Sequence, residues 1–313
     1  MDNRITKRRL SDFFAYEWIL TLVAVAAAIV VMELIYTVSA TRLTTGQHFK
    51  YYLDEDLYAF DTYSVFDLLE VKNGENGKTF SFEVLEVESE NLTSSYNTLS
   101  VRLSVQEGDA IVTSSAERED KTVRAKTIID GFPVYDMQGL LSGAKEYLTQ
   151  FKNGDDFDED KIRAYLDSRT KGDNRFRTEK DREEGRQNEI ARINKLAKDV
   201  DDFEKILNSG REDLFYYYTK YEQVANGDES DKDYGAAYAK EKEKGELIYG
   251  INMSALTGGN KTVSEYLKLQ ENESADGGVV LMLFDFSKQQ YDLQFESISF
   301  VCTLVREFGN ILN

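Results

Sequence analysis

The first strong pattern along the chain is apolar and continuous. From Trp18 to Val38 there are 21 residues with one charge, Glu33. As a helix rising ~1.5 Å per residue they cover about 31 Å, enough to cross the hydrocarbon core of a bilayer. Arg4, Lys7, Arg8 and Arg9 precede the segment, and only Arg42 and Lys50 follow it closely. That asymmetry predicts a cytoplasmic N-terminus and an exported body. Phe13, Phe14, Tyr16 and Trp18 on one side and Tyr36 on the other suit the interfacial belts of a retained span. The competing reading is a cleaved signal peptide, because Val38-Ser39-Ala40 resembles a small-residue cleavage site and the strictly apolar part runs only from Leu22 to Met32. Glu33 lies close enough to the outer interface to reach water.

Beyond the span the periodicity changes. Residues 49–60 begin with an aromatic, strand-like run, Ser64 and Asp67 form an N-cap pattern for a short helix ending by Gly74, and Phe80, Phe82 and Val84 alternate into a second strand ending near Glu88. Leu92, Tyr96, Leu99 and Leu103 follow helical spacing, although Leu99, Val101, Leu103 and Val105 also alternate as a strand would. On the helical reading, Gly108-Asp109 ends the helix and Ala110–Ser114 is a buried third strand, giving β-α-β-α-β with parallel crossovers. After Pro133 a helix is expected from about Asp136 to Lys152. Ile190, Ile193, Leu196, Val200, Phe203 and Leu207 then mark a long amphipathic helix stopping at Ser209-Gly210. Leu214, Tyr217, Tyr221 and Val224 extend the helical trend, and residues 226–235 read as an acidic loop. Glu246–Met253 and Gly278–Phe286 read as strands, the latter apolar enough for burial on both faces. A final helix carries Ile298, Val301, Cys302, Val305 and Phe308 on one side, which makes Cys302 a core residue.

Charge and composition remove several functions. Lys and Arg number 38 and Asp and Glu 57, a net charge of −19, so nucleic acid is a poor partner. Residues 1–40 carry four basic and four acidic groups, so the excess belongs to the body. One cysteine excludes an intrachain disulfide and a thiolate zinc site, and it lies too late for a lipoprotein anchor. One histidine, His48, excludes paired-histidine metal motifs and is read as linker. Asp156, Asp158, Asp160 and Asp167 have calcium-loop spacing, but Lys161 stands where the loop needs glycine. They are better read as an acidic helix start, and neither metal nor cofactor is expected. Nothing fixes a catalytic pair of carboxylates, so the chain is not read as an enzyme.

The order of elements from residue 47 to 313 resembles membrane-anchored extracellular solute-binding proteins of Firmicutes ABC transporters, which have the type II periplasmic-binding-protein fold. The resemblance is carried by the opening strand-helix-strand, by Leu103–Ser114, by Gly131–Leu141, by Tyr249-Gly250-Ile251 and by Val279–Phe308. It implies an α/β class: a transmembrane helix followed by a two-lobed body whose helix-rich second lobe is reduced. The divisions are a cytoplasmic tail (1–17), the span (18–38), a linker (39–48), a first α/β lobe (49–152), a charged helical region (153–245) and second-lobe strands with the final helix (246–313). The implied partners are an ABC permease or other membrane subunits, with a small neutral solute such as a sugar in the cleft. Open α/β sheets bind ligands at the carboxyl ends of parallel strands, a rule that selects Asp54, Tyr58, Ser114, Tyr249 and Asp285. Two departures, the almost wholly helical 153–245 region and the span in place of a lipid-anchoring cysteine, support a second reading, a docking or accessory subunit with a degenerate cleft. A third reading is a sensing ectodomain, which would signal through a separate partner because only about 17 residues precede the span.

Overall fold

The computed structural model describes residues 18–39, 47–54, 57–59, 86–92, 95–118, 120–222, 232–256, 269–271, 278–285 and 290–309, with a few isolated positions besides. It divides into two units, Met1–Leu43 and Thr44–Asn313. In the first, α1 (Trp18–Ser39) is one helix whose residues Trp18–Tyr36 are long and apolar enough to cross a membrane, with none of that surface buried by protein.

The body is built on one six-stranded mixed sheet. Its strands are β1 (His48–Leu53), β2 (Glu86–Asn91), β3 (Ala110–Ser114), β4 (Phe215–Tyr218), β5 (Leu247–Asn252) and β6 (Val279–Leu283), in the spatial order β2-β1-β3-β6-β5-β4. β1 pairs parallel with β2 and β3, in register Tyr51↔Ser89 and Tyr51↔Ala110. The other half is antiparallel: β6 pairs with β3 (Val279↔Ser114) and with β5 (Val280↔Asn252), and β5 pairs with β4 (Phe215↔Ile251). Alternation along each strand sends side chains to opposite faces. Phe49, Tyr51, Leu53 and Leu281 enter one core, while Tyr52, Ile111, Val280 and Met282 enter the other.

Helices cover both faces. On one lie α2 (Ser95–Ser104) and α3 (Arg124–Gly131), through Leu99, Leu103, Ile128 and Ile129. On the other lie α4 (Met137–Thr149), α6 (Glu179–Leu207) and α8 (Glu296–Phe308), with α5 (Glu159–Arg169) packed on α6. The helix α7 (Lys232–Lys244) leads into β5. Local chemistry sets the ends. Asp136 caps α4 by accepting from Gly139 N at 2.6 Å, and Thr178 and Asp181 form a reciprocal capping box at the start of α6. Gly108 adopts φ +100° with the Tyr52 ring pressed where a Cβ would sit, so glycine is required on both counts.

The helical reading of residues 92–103 and the buried strand after it are present. The segment after Leu214 is different: its expected helix is the edge strand β4, whose Tyr216 and Tyr218 alternate inward. His48, assigned to the linker, opens β1 and lies 3.1 Å from Glu88. Asp158 caps α5 through the N–H groups of Asp160 and Lys161, and Asp167 pairs with Arg186, so the acidic run is a helix start. The expected helix from Ser64 lies outside the described residues, as does residue 80–85 of the expected second strand. The body is a single compact unit, and near the carboxyl ends of β1 to β3 lie the ribbon Leu57–Ala59 with Leu269–Glu271 and the bridge Glu117↔Val123.

Candidate functional site

The parallel order β2-β1-β3 creates a topological switch point between β1 and β3, where a ligand is expected beyond the carboxyl ends. Asp54 follows β1 at that point and is fully buried. Its carboxylate accepts from Arg124 Nε at 2.7 Å, from Arg124 Nη2 at 3.1 Å and from the Thr113 hydroxyl at 2.7 Å. Its own N–H donates to Val112 O at 3.0 Å. A two-pronged guanidinium pair supplies both charge and direction, and Arg124 is the first residue of α3, so the pair also fixes that helix to the sheet. Ser114, at the end of β3, is buried and accepts from Ala116 N at 3.1 Å. Both residues selected at this edge are engaged within the chain.

The five selected residues do not converge. β6 runs opposite to β3, so Leu283 pairs with Ala110, the first residue of β3, rather than with its last. Asp285 therefore lies beyond the amino edge, and the four steps from Ala110 to Ser114 alone separate the edges by roughly 13 Å. Asp285 is exposed, and its N–H donates to Pro133 O at 2.8 Å. Tyr249 is buried within β5. There the partner strand steps once, from Tyr216 to Tyr217, while β5 steps twice, from Gly250 to Ile248, leaving Tyr249 as a bulge residue. Tyr58 is on the ribbon, paired with Gln270.

A second polar cluster stands at the amino edge, between α3 and β4. Asp130, near the end of α3, accepts from the Tyr218 hydroxyl at 2.8 Å and from Tyr221 N at 2.5 Å. Tyr221 holds φ +67°, left-handed for a side-chain-bearing residue. Burial pushes the Asp130 carboxyl above its ordinary range, against the opposing pull of those two hydrogen bonds. Burial likewise holds the Lys220 ammonium below its ordinary value, although Asp130, Glu241 and Asp285 favour its charge. The phenols of Tyr216 and Tyr249 are pushed up by the same burial. Among the described residues the buried Tyr216 hydroxyl has no hydrogen-bond partner. Lys126 lies over the Tyr218 ring at 5.3 Å and Lys220 over Tyr221 at 5.4 Å.

Two other charged groupings are structural. Lys50, nearly buried, meets Glu90 and Glu107 at 2.8 Å each, which raise its pKa despite burial, and Arg102 ties the same carboxylates to α2. Arg192, 2% exposed, joins Glu189, Glu296 and the Tyr147 hydroxyl at 2.7 to 2.9 Å; burial opposes its charge, but the two carboxylates hold it protonated. Cys302 is buried, and its Sγ donates to Asp199 O at 3.2 Å. Among the described residues no three His, Cys, Asp or Glu side chains form a metal-holding group. A shallow cavity of about 420 Å³ lies on the outer side of α2, between Asn97, Thr98, Val101, Arg102, Val105 and Glu107, and none of the five selected residues lines it.

Sequence reasoning missed Arg124, Asp130, Tyr216 and Lys220. The signal for Tyr216 lay in its alternation with Tyr218, hidden by the helical spacing of Tyr217 and Tyr221, and Lys220, in the turn after the strand, has no such signal. Arg124 and Asp130 have no local signal, since their partners are 70 and 88 residues distant. No protein family, curated protein or solved structure matches the chain.

Proposed function

We propose that this protein is a membrane-tethered docking or accessory subunit of a membrane transport complex, held by α1 with its body outside the cytoplasm. The observation that carries this reading is the closure of the β1/β3 switch point: Asp54 is 0% exposed and its carboxylate is already bound by Arg124 and Thr113. A solute arriving there would have to break a buried ion pair before meeting a free polar group. The resemblance to anchored solute-binding proteins supplies the transporter context. The body is then a derivative of that fold in which the second wall is reduced and surface contacts replace the cleft. Capture of a carbohydrate through Asp54, Tyr58, Ser114, Tyr249 and Asp285 is the weaker reading, because two of these are engaged internally and the others are spread between the edges.

The test uses the full chain in native membranes. Crosslinking should join the body to permease subunits, and an N-terminal tag should resist protease added to intact cells while the body is degraded. Accessibility of that tag from outside would overturn the orientation. Saturable sugar binding that is lost in Asp54→Asn or Ser114→Ala would overturn the docking reading and restore solute capture at the carboxyl edge.

A further inference from the structure

We propose that the body docks through the outward face of α2, and that the occupant of this face is a basic amphipathic helix of a partner protein. The inference rests on the docking reading and names the surface that reading leaves open. Among the described residues of the body the exposed large apolar side chains are Tyr96, Val101, Val105 and Tyr217, and the first three belong to α2 and the turn directly after it. Helical geometry shows that two of them cannot serve the core. Leu99 and Leu103 are buried against the sheet, and at about 100° per residue Val101 points directly away from the midpoint between them. Val101 is 65% exposed and Val105, which continues the outward row one turn on, is 67% exposed. The shallow cavity of about 420 Å³ lies along this row, bounded by Asn97, Thr98, Arg102 and Glu107. The ten residues of α2 carry one charge, Arg102, in a chain of which 30% is charged. A solvent-facing helix side is ordinarily charged or polar, as the exposed Asp160, Lys161 and Asp167 of α5 are.

Shape and charge select the occupant. The apolar row repeats at one helical turn, the spacing that the ridges of a second helix fill. An extended segment would need an open backbone edge, which a helix face does not offer. The rim is acidic: Glu88, Glu90 and Glu107 stand against Lys50 and Arg102, which pair with them, and with histidine counted as neutral one carboxylate is in excess. A second copy would bring the same rim and a further charge of −19. An anionic bilayer surface would be repelled in the same way. A helix with Lys or Arg flanking an apolar stripe meets both the valines and the rim.

Cys302 is the only cysteine and is buried, so a single substitution, Val101→Cys, reports on this face alone. Alkylation by N-ethylmaleimide is followed by mass spectrometry for the full chain in native membranes and for the purified full chain in phosphatidylcholine–phosphatidylglycerol vesicles. Val101→Cys should react about tenfold more slowly in native membranes than in the vesicles, whereas Ser168→Cys, on the exposed side of α5, should react alike in both. Raising salt from about 0.1 M to about 1 M shortens the Debye length from ~10 Å to ~3 Å and should remove most of the protection. Glu88→Gln, at an exposed position of the rim, should weaken it severalfold. A crosslinker from Val101→Cys should capture a peptide with apolar residues three and four apart and Lys or Arg beside them. Equal rates in membranes and vesicles, slow reaction in both, protection indifferent to salt and to Glu88→Gln, or a crosslink to a second copy or to an acidic peptide would each overturn the proposal. If other positions on the body crosslink to membrane subunits while Val101→Cys stays reactive, this surface is wrong and the docking reading stands. If no position does, the docking reading fails with it.

Discussion

The two edges of the sheet use the same kinds of group and arrive at opposite balances. At the carboxyl edge a buried aspartate meets a guanidinium and a hydroxyl at 2.7 Å, and the charges cancel within the chain. At the amino edge a half-buried aspartate takes its hydrogen bonds from a phenol and a backbone N–H, while among the described residues the nearby lysine makes no ion pair and a second phenol has no partner. The contrast teaches that polar residues in this body divide by what they leave over. Where every donor and acceptor is matched, the cluster fastens one element to another, here α3 to β1 and β3. Where a donor is left unmatched, as the Tyr216 hydroxyl is among the described residues, it carries the cost of desolvation without a compensating bond, as the Tyr165 hydroxyl does elsewhere in the body.

The largest expected effect breaks the carboxyl edge. Asp54→Ala strands the Arg124 guanidinium in the interior, and losing one partner of a buried pair costs about 3 to 5 kcal/mol. Urea unfolding of the full chain in detergent checks this, and a loss below about 1 kcal/mol would mean that water already reaches the pair. Next in size is the double variant Asp54→Leu with Arg124→Met. It removes both charges and should recover most of the loss, because apolar residues of similar volume often replace a buried pair without penalty. If the double variant is as unstable as Asp54→Ala, the pair acts through α3 geometry rather than through charge. At the other edge Tyr216→Phe removes a hydroxyl that has no partner among the described residues, so it should be neutral or stabilising by up to about 1 kcal/mol. A clear destabilisation would show that the hydroxyl is bonded in solution, and the contrast between the edges would shrink.

How far each edge could be read in advance follows from the range of the physics involved. The strands β1 and β3, the helix at 95–104 and the long helix ending at Leu207 have apolar repeats shorter than the element itself, and the sequence shows them, whereas β2 (Glu86–Asn91) carries only Val87 and meets the expected strand just at its end. The strand β4 was hidden because Phe215–Tyr218 offers four aromatics in a row, and Tyr217 with Tyr221 imitates a helical face. The first half of α6, Glu179–Glu189, was illegible because its support is ionic: Arg163, Asp167 and Arg186 fasten it to α5. Asp285 was selected on the assumption that its strand runs with β3. Strand direction is set by pairing across more than 160 residues, and no local pattern records it. The same holds for the pairing of Arg124 with Asp54: Asp54 was selected as a ligand group, but its partner 70 residues on left no local signal until the fold brings the two charges together.

The smallest expected effect is a slope, and it sharpens the account of the amino edge. Asp130 has a folded pKa raised by burial above the value of the unfolded chain. The folded state therefore holds its proton more readily than the unfolded state between the two values, and stability from this group is greatest below the unfolded pKa and falls as pH rises through the folded one. Carboxylates that are held low by their partners behave in the opposite sense. Glu183, brought down to about 2 by hydrogen bonds from Gln187 and Arg163, contributes stability that is lost as pH falls. The total curve mixes the two, but the difference between wild type and Asp130→Asn isolates the first. That difference should change on titrating upward from the unfolded aspartate value, about 3.9, and level off above the folded pKa. Asp130 remains partly accessible to solvent, so screening keeps the change small and salt should reduce it further. A difference curve that is flat across this window would mean that water solvates Asp130 as freely as in the unfolded chain. The amino edge would then lose the desolvation that distinguishes it from an ordinary exposed carboxylate at a helix end.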